Sequence, residues 1–143
     1  MYIVNMKDVI NNVNKRDKVC EFLNKHDIKD LDEEILKNMS IIYYNDIILG
    51  TLSFEKFCNV GLIRYFVYVQ DVDVVDVIKL FKNVCNKAIE EGCNSLMAFC
   101  LESEENIFVS LGFKHIEESL VYIEEESFLN SKYNQRKTYL FSI

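Results

Sequence analysis

Near the middle of the chain, the spacing of apolar side chains changes from that of a strand to that of a helix. Residues 62–69 are mostly β-branched or aromatic, which is typical of a strand buried on both faces. From Val74 to Ala88 the apolar residues recur every three or four positions, which predicts the buried face of a helix. Gly92 follows where a helix end favours a left-handed residue. The turn at residues 70–73 is therefore a candidate ligand site, because a helix N-terminus offers backbone N–H groups and partial positive charge.

Shorter patterns on both sides of this unit predict the rest of the fold. Asn45-Asp46 between two apolar runs is typical of a β-hairpin, and Asp32 is expected to cap a short helix. A strand joined to the next strand through a helix is expected to be parallel to it. The predicted elements are, in order, strand 2–4, helix 7–26 with an irregularity at Asn14, helix 32–39, strands 40–44, 47–54 and 62–69, the long helix, strand 95–100, helix 102–111, and strands 113–123 and 137–143.

Length and charge narrow the class of protein. A chain of 143 residues, half of them hydrophobic, suits a single domain at 1–143. No apolar run approaches the roughly twenty residues of a membrane span, and residues 1–7 lack a signal-peptide core, so we expect a cytoplasmic protein with no membrane partner. The net charge of −7 argues against nucleic-acid binding. The basic residues Lys132, Arg136 and Lys137 are more typical of an exposed loop.

The cysteine and glycine content excludes several kinds of site. The cysteines are odd in number and form no CxxC pair, so reduced and mostly buried thiols are expected; they are Cys20, Cys58, Cys85, Cys93 and Cys100. With only His26 and His115 as histidines, no metal site is predicted. Four glycines are too dispersed to build a Gly-rich phosphate loop.

The order of elements, β-α-α-β-β-β-α-β-α-β-β, is similar to that of the GNAT (N-acetyltransferase) superfamily. Three segments carry the resemblance: the helix-to-strand signature at 107–113, the hairpin at 45–50 and the end of the central helix at 88–96. Residues 19–28 and 105–113 most resemble the N-terminal acetyltransferase-like domain of citrate lyase ligase, whose ligase activity is not thereby implied. The resemblance implies an α/β fold with a mixed, mostly antiparallel sheet around a central strand–helix–strand unit.

The same resemblance implies that the turn before the central helix binds acetyl-CoA. Active members place Arg/Gln-x-x-Gly-x-Gly/Ala there, and in this chain those glycines fall near Val74–Val77 and the Arg or Gln near Asp71. Side chains obstruct the close approach that glycine allows, and Asp71, Asp73 and Asp76 oppose a phosphate. We expect a degenerate phosphate loop with weak or absent acetyl-CoA binding. The cofactor-binding residues implied by the resemblance are Val67, Val69, Asp71, Val72, Val74, Val75, Asp76 and Val77.

The catalytic residues stay unknown. Where many members have a tyrosine that protonates the leaving thiolate, this chain has Phe108, and Ser110 is a poor substitute. Glu55 is a candidate general base, with Tyr65 and Tyr68 as weaker ones.

Three other features have ordinary interpretations beside functional ones. His115 beside Glu117 suits an acid–base pair but is more typical of a surface histidine. Cys100 has Glu102 nearby, which is neither a base nor a cation that would activate it, so a buried thiol is favoured. Phe128-Leu129, in the polar connection at 124–135, suits either a cover over the cleft or a homodimer contact.

Two functions follow as alternatives. The first is a GNAT-family N-acetyltransferase-like protein that transfers an acyl group from acetyl-CoA to an unknown small-molecule amine. The second is a non-catalytic domain of the same fold that binds a small molecule or a protein partner. In the second case, Asp71 and Asp76 are expected to cap the central helix in place of a bound phosphate.

Overall fold

The structure, a computed structural model, describes residues 1–100, 102–116 and 137–143. Its elements follow the predicted order. The strands are β1 (Tyr2–Asn5), β2 (Ser40–Tyr44), β3 (Ile47–Phe57), β4 (Val60–Tyr68), β5 (Ser95–Cys100), β6 (Lys114–Ile116) and β7 (Lys137–Ser142), and the α-helices are α1 (Val13–Lys25), α2 (Glu33–Lys37), α3 (Val74–Glu90) and α4 (Glu105–Ser110). Short 3₁₀ turns lie at Met6–Asp8 and Glu102–Glu104.

The strands form one seven-stranded sheet in the order β1-β2-β3-β4-β5-β7-β6. β4 and β5 are parallel, as the connection through α3 predicts, with Val60 opposite Ser95 and Leu62 opposite Met97. The pairs β1–β2, β2–β3, β5–β7 and β6–β7 are antiparallel. The predicted mixed, mostly antiparallel α/β sheet is therefore confirmed.

The first of two compact units comprises residues 1–55 and 64–87. Its core packs α1 and α2 against one face of the sheet, where Leu23, Leu36 and Ile41 are fully buried. The Asp32 side chain accepts hydrogen bonds from the N–H groups of Glu34 and Ile35 at 2.8 and 3.4 Å, so the predicted cap of α2 is confirmed. Asn45 and Asp46 both have left-handed backbones, as the tight β2–β3 turn requires.

The predicted helix at 7–26 was wrong at its start. After the 3₁₀ turn, α1 begins at Val13, and the Asn12 side chain caps it by accepting from the N–H of Lys15 at 3.2 Å. The irregularity therefore precedes Val13 instead of lying at Asn14. Val13 itself is 68% exposed and not part of the apolar face, because it belongs to the first turn of the helix and lies beyond the core.

The second unit contains residues 56–63 and the described part of 88–143. Phe57, Leu62 and Met97 form its buried cluster. Gly112 has a φ of +101°, and a Cβ there would lie 3.0 Å from the Phe141 ring, so the position favours glycine on both grounds. Of the strand predicted at 113–123, Lys114–Ile116 is observed; the remainder, and the connection at 124–135 with Phe128-Leu129, lie outside the described residues.

In the described part of the chain, every helix is too short or too polar to cross a membrane. Because the chain divides into two compact units, the single domain expected at 1–143 stays a prediction.

Candidate functional site

Within β4, the backbone is distorted at Tyr65, which has a φ of +52°. Tyr65 is not a glycine, and it is only 7% exposed. Two hydrogen bonds hold it there. The Thr51 hydroxyl donates to the Tyr65 carbonyl at 2.8 Å, and the Asp32 N–H donates to the Tyr65 hydroxyl at 3.0 Å. A left-handed non-glycine residue costs about 1–3 kcal/mol and concentrates at functional sites. The left-handed backbone at Tyr65 therefore marks the C-terminal half of β4 as a candidate site. No sequence signal predicted this backbone conformation.

Beyond Tyr65, β4 presents one backbone edge to β3 and one away from it. The Val69 N–H donates to the Leu49 carbonyl at 2.8 Å, so the backbone of Val69 faces β3. Backbone groups alternate along a strand, so those of Tyr68 point away from β3. Such an edge offers hydrogen-bonding groups to an extended ligand.

The turn after β4 uses its hydrogen bonds internally. The Asp73 carboxylate accepts from the Val75 N–H at 2.9 Å, and the Asp73 carbonyl accepts from the N–H groups of Asp76 and Val77 at 2.9 and 3.2 Å. Asp73 is thus the N-cap of α3. The hypothesis that Asp71 and Asp76 are the caps was wrong, because Asp73 is the residue directly before the first helical turn, where a short carboxylate reaches the second N–H.

The residues predicted to bind acetyl-CoA fall into two places on the first unit. Val67 lies near the end of β4 and Val69 directly follows it, and the other six lie within the turn and the first turn of α3. Their exposures differ: Val67 and Val77 are buried, Val69, Val72 and Asp76 half-buried, and Asp71, Val74 and Val75 exposed.

These residues fit the two halves of a CoA molecule unequally. A pantetheine chain suits the outward backbone edge of β4. A pyrophosphate does not fit the turn as it stands, because three aspartates surround it and the Asp73 carboxylate accepts from the Val75 N–H that a phosphate could otherwise use.

Most of the residues predicted as the acid or the base make contacts with other side chains of the protein. Phe108 is buried in α4, edge-on to Phe113 with ring centroids 5.3 Å apart, and Ser110 is exposed. Glu55 forms an ion pair with Arg64 at 2.5 Å. The Tyr68 ring is 39% exposed and leaves the outward side of β4 accessible.

The remaining candidates follow their ordinary interpretations where the structure describes them. His115 is exposed on β6, with its ring 5.4 Å from that of Tyr139, whereas Glu117 lies outside the described residues. Cys100 is 2% exposed, a buried thiol as favoured. Cys85 and Cys93 are also buried, Cys20 is half-buried and Cys58 is exposed. Within the described ranges, no three His, Cys, Asp or Glu side chains converge to hold a metal ion.

The chain matches no model of a protein family, and no curated protein resembles it in sequence. Solved structures do resemble it. N-acetylglutamate synthase from Neisseria gonorrhoeae, complexed with coenzyme A and L-arginine, matches with a TM-score of 0.74 and 15% identity. The match covers 99% of this chain and 33% of the synthase, so this chain spans about a third of that protein's length.

Two further structures match over nearly their whole lengths. A Mycobacterium tuberculosis protein in complex with CoA has a TM-score of 0.69 and 14% identity, with 100% of this chain and 99% of that chain covered. A GNAT-family acetyltransferase from Staphylococcus aureus has the same TM-score and identity, with 99% and 98% covered. The resemblance to citrate lyase ligase stays a prediction. In architecture and strand order, this chain has the fold of the GNAT acetyltransferases.

Proposed function

We propose that this protein is an acyltransferase that binds a CoA thioester along the C-terminal half of β4 and transfers its acyl group to an amine. The observation that carries the proposal is the left-handed Tyr65 in β4. Buried strain of this kind persists only where the surroundings hold it, and Thr51 and Asp32 do so from two sides. The match to acetyltransferase folds over nearly the whole chain supports acyl transfer as the reaction.

The cofactor would be held mainly by its pantetheine half. Val67 and Val69 flank the outward backbone edge of β4, whereas the turn at Asp71–Asp76 repels the phosphates. Phe108 has no proton to give, so this chain's own residues offer the departing thiolate no acid at that position. Weak cofactor binding and slow transfer are the expected properties.

One observation favours the second candidate, a non-catalytic domain that binds a small molecule or a protein. The Asp73 carboxylate accepts from the Val75 N–H at the start of α3, so the chain supplies its own anion where a phosphate would bind. In that case the fold would be retained for its surface instead of its chemistry.

Calorimetric titration with acetyl-CoA and with CoA separates the two candidates. The acyltransferase proposal expects a Kd nearer millimolar than micromolar, a difference of about 4 kcal/mol from tight family-like binding. No heat of binding for either ligand at millimolar concentration would favour the non-catalytic domain.

The acceptor, the assembly state and the location stay proposals. They are a small-molecule amine as the acceptor, a homodimer, and a cytoplasmic protein without nucleic-acid or membrane partners.

A further inference from the structure

A cavity of about 860 Å³ opens in the first unit beside α1, the loop after it and the β2–β3 turn. Small-molecule sites commonly have volumes of about 300–1,000 Å³. Apolar side chains line part of it, namely Phe22, Ile47, Ile48 and Val69. Ile47 is 63% exposed, so this wall is open to a ligand as well as apolar.

Three lysines and two carboxylates are the charged groups in the polar lining of this cavity. Lys18 and Lys25 lie seven residues apart on α1, so they project from one face of the helix two turns apart, and Lys29 joins them from the loop. Against these stand Glu21 and Asp46, and the Asp46 carboxylate accepts a hydrogen bond from the Tyr2 hydroxyl at 3.3 Å. A local excess of positive charge in a protein of net charge −7 is a departure from the rest of the surface.

None of the three lysines of the cavity forms an ion pair with a carboxylate in the described part of the protein. The ion pairs found there join Arg16 to Glu33, Lys37 to Glu34 and Arg64 to Glu55. Across residues 1–100, 102–116 and 137–143, no carboxylate lies within the 4.0 Å of an ion pair from Lys18, Lys25 or Lys29. Among the described residues, these three ammonium groups therefore have no carboxylate in direct contact.

The loop that carries Lys29 has a defined geometry. Asp27 ends α1 with a left-handed φ of +63°, and the N–H of Ile28 returns to the Leu23 carbonyl at 2.9 Å. The His26 Nδ1 lies 2.9 Å from the Phe22 carbonyl, which can only accept, so Nδ1 carries the hydrogen. The imidazole is thus fixed on the cavity wall, and its ring lies 4.6 Å from that of Phe22.

We propose that this cavity binds a small organic anion that has an apolar body and at least two negative charges. The lysines would bind the charged groups, and Phe22 and Ile47 would pack against the apolar part. The site does not depend on the proposed acyltransferase activity, since none of these lysines belongs to β4 or to the turn before α3.

Phenyl phosphate is a suitable probe, because it combines an aromatic ring with a dianion. Titration by calorimetry and by two-dimensional NMR should give saturable binding, with shifts at residues 18–29 and 46–48. The double variant Lys25→Ala, Lys29→Ala should weaken binding about tenfold. The matched control is Lys79→Ala, Lys82→Ala, which removes the same charge from the exposed face of α3 and should change the Kd less than about twofold.

A second variant tests the apolar wall separately from the charges. Because the Ile47 side chain is largely exposed, the substitution Ile47→Ser should leave folding unaffected. It should weaken phenyl phosphate and leave the weaker binding of inorganic phosphate unchanged. An equal loss of phenyl phosphate affinity in the Lys25/Lys29 variant and in the Lys79/Lys82 control would overturn the proposal. So would NMR chemical-shift changes at residues outside the cavity, or inorganic phosphate that binds as tightly as phenyl phosphate. Binding of a poly-glutamate peptide without binding of phenyl phosphate would overturn it too, in favour of an acidic protein partner.

Discussion

Two regions of the first unit lie beside Val69, and they differ in the charge that they present to an anion. The cavity beside α1 carries three lysines against two carboxylates, and no described carboxylate forms an ion pair with those lysines. The turn before α3 carries three aspartates, and the Asp73 carboxylate accepts from the Val75 N–H at the start of that helix. The region that resembles a known anion site is thus the poorer one for an anion. Available donors and unpaired charges, and not the helix dipole alone, determine where a phosphate or carboxylate binds.

The largest expected difference is in the reactivity of the thiols on α1 and α3, the two helices beside these regions. Burial raises the pKa of Cys85 on α3 to about 11. Burial also raises the pKa of half-buried Cys20 on α1, although Arg16 lowers it. Because the thiolate is the reactive form, Cys85 should stay unreactive until the pH approaches 11, and at pH 8 the half-buried Cys20 should react faster than Cys85. Mass spectrometry after alkylation of the native protein measures both rates.

Exposed Cys58 serves as the internal control for that experiment and should react first. The sign of the linkage follows from the same pKa of Cys85, raised from 9.0 to about 11. The folded state holds a proton that the unfolded chain loses, so this contribution to stability is complete below pH 9 and is lost as the pH rises through 11. Similar alkylation rates for Cys20 and Cys85 at pH 8 would show that α3 opens as readily as α1.

Next in size is the effect of removing the negative charge from the turn before α3. The double variant Asp71→Asn, Asp73→Asn keeps an N-cap, because asparagine caps as well as aspartate. Acetyl-CoA should bind about tenfold more tightly, since two carboxylates no longer oppose its phosphates. Calorimetry measures the change. Glu90→Gln, Glu91→Gln at the opposite end of α3 is the matched control, and an equal gain there would mean that only net charge matters.

The cap itself has a smaller and separable effect. Asp73→Ala removes the acceptor for the Val75 N–H and should lower the free energy of unfolding by about 1 kcal/mol. Asp73→Asn should change it by a few tenths at most, and Asp71→Ala should be neutral because Asp71 is exposed and outside the cap. Urea denaturation of the three variants measures these differences. A loss in Asp71→Ala as large as that in Asp73→Ala would contradict the assignment of the cap.

The smallest expected effect is that of salt, and it differs between the two regions. Raising the salt from about 50 to about 500 mM should weaken phenyl phosphate binding at the lysines a few-fold, because screening reduces attraction. Acetyl-CoA binding at the acidic turn should weaken less, or tighten, because screening there reduces repulsion. Parallel titrations measure both responses, and the same salt dependence for the two ligands would remove the distinction between the regions.

Much of the fold could be predicted from local sequence. Asp32 and Gly92 were predicted as helix ends, and Asn45-Asp46 as a hairpin turn, because each requirement is satisfied within a few residues. The start of α1 was missed, since Val13 has an apolar side chain at helical spacing and yet lies beyond the core. The candidate site was predicted as a stretch of chain, but its cap was assigned to the wrong aspartates among three near neighbours.

The sequence by itself determined the period of each element, the parallel crossover through α3 and the acidic character of the turn before it. These properties depend on residues close together in the chain. The tertiary structure alone decided the left-handed Tyr65, which Thr51 and Asp32 hold from other elements. It also decided that Lys18, Lys25 and Lys29 share a cavity with the β2–β3 turn. Both depend on contacts between distant segments, and these form only when burial of the apolar faces brings the segments together.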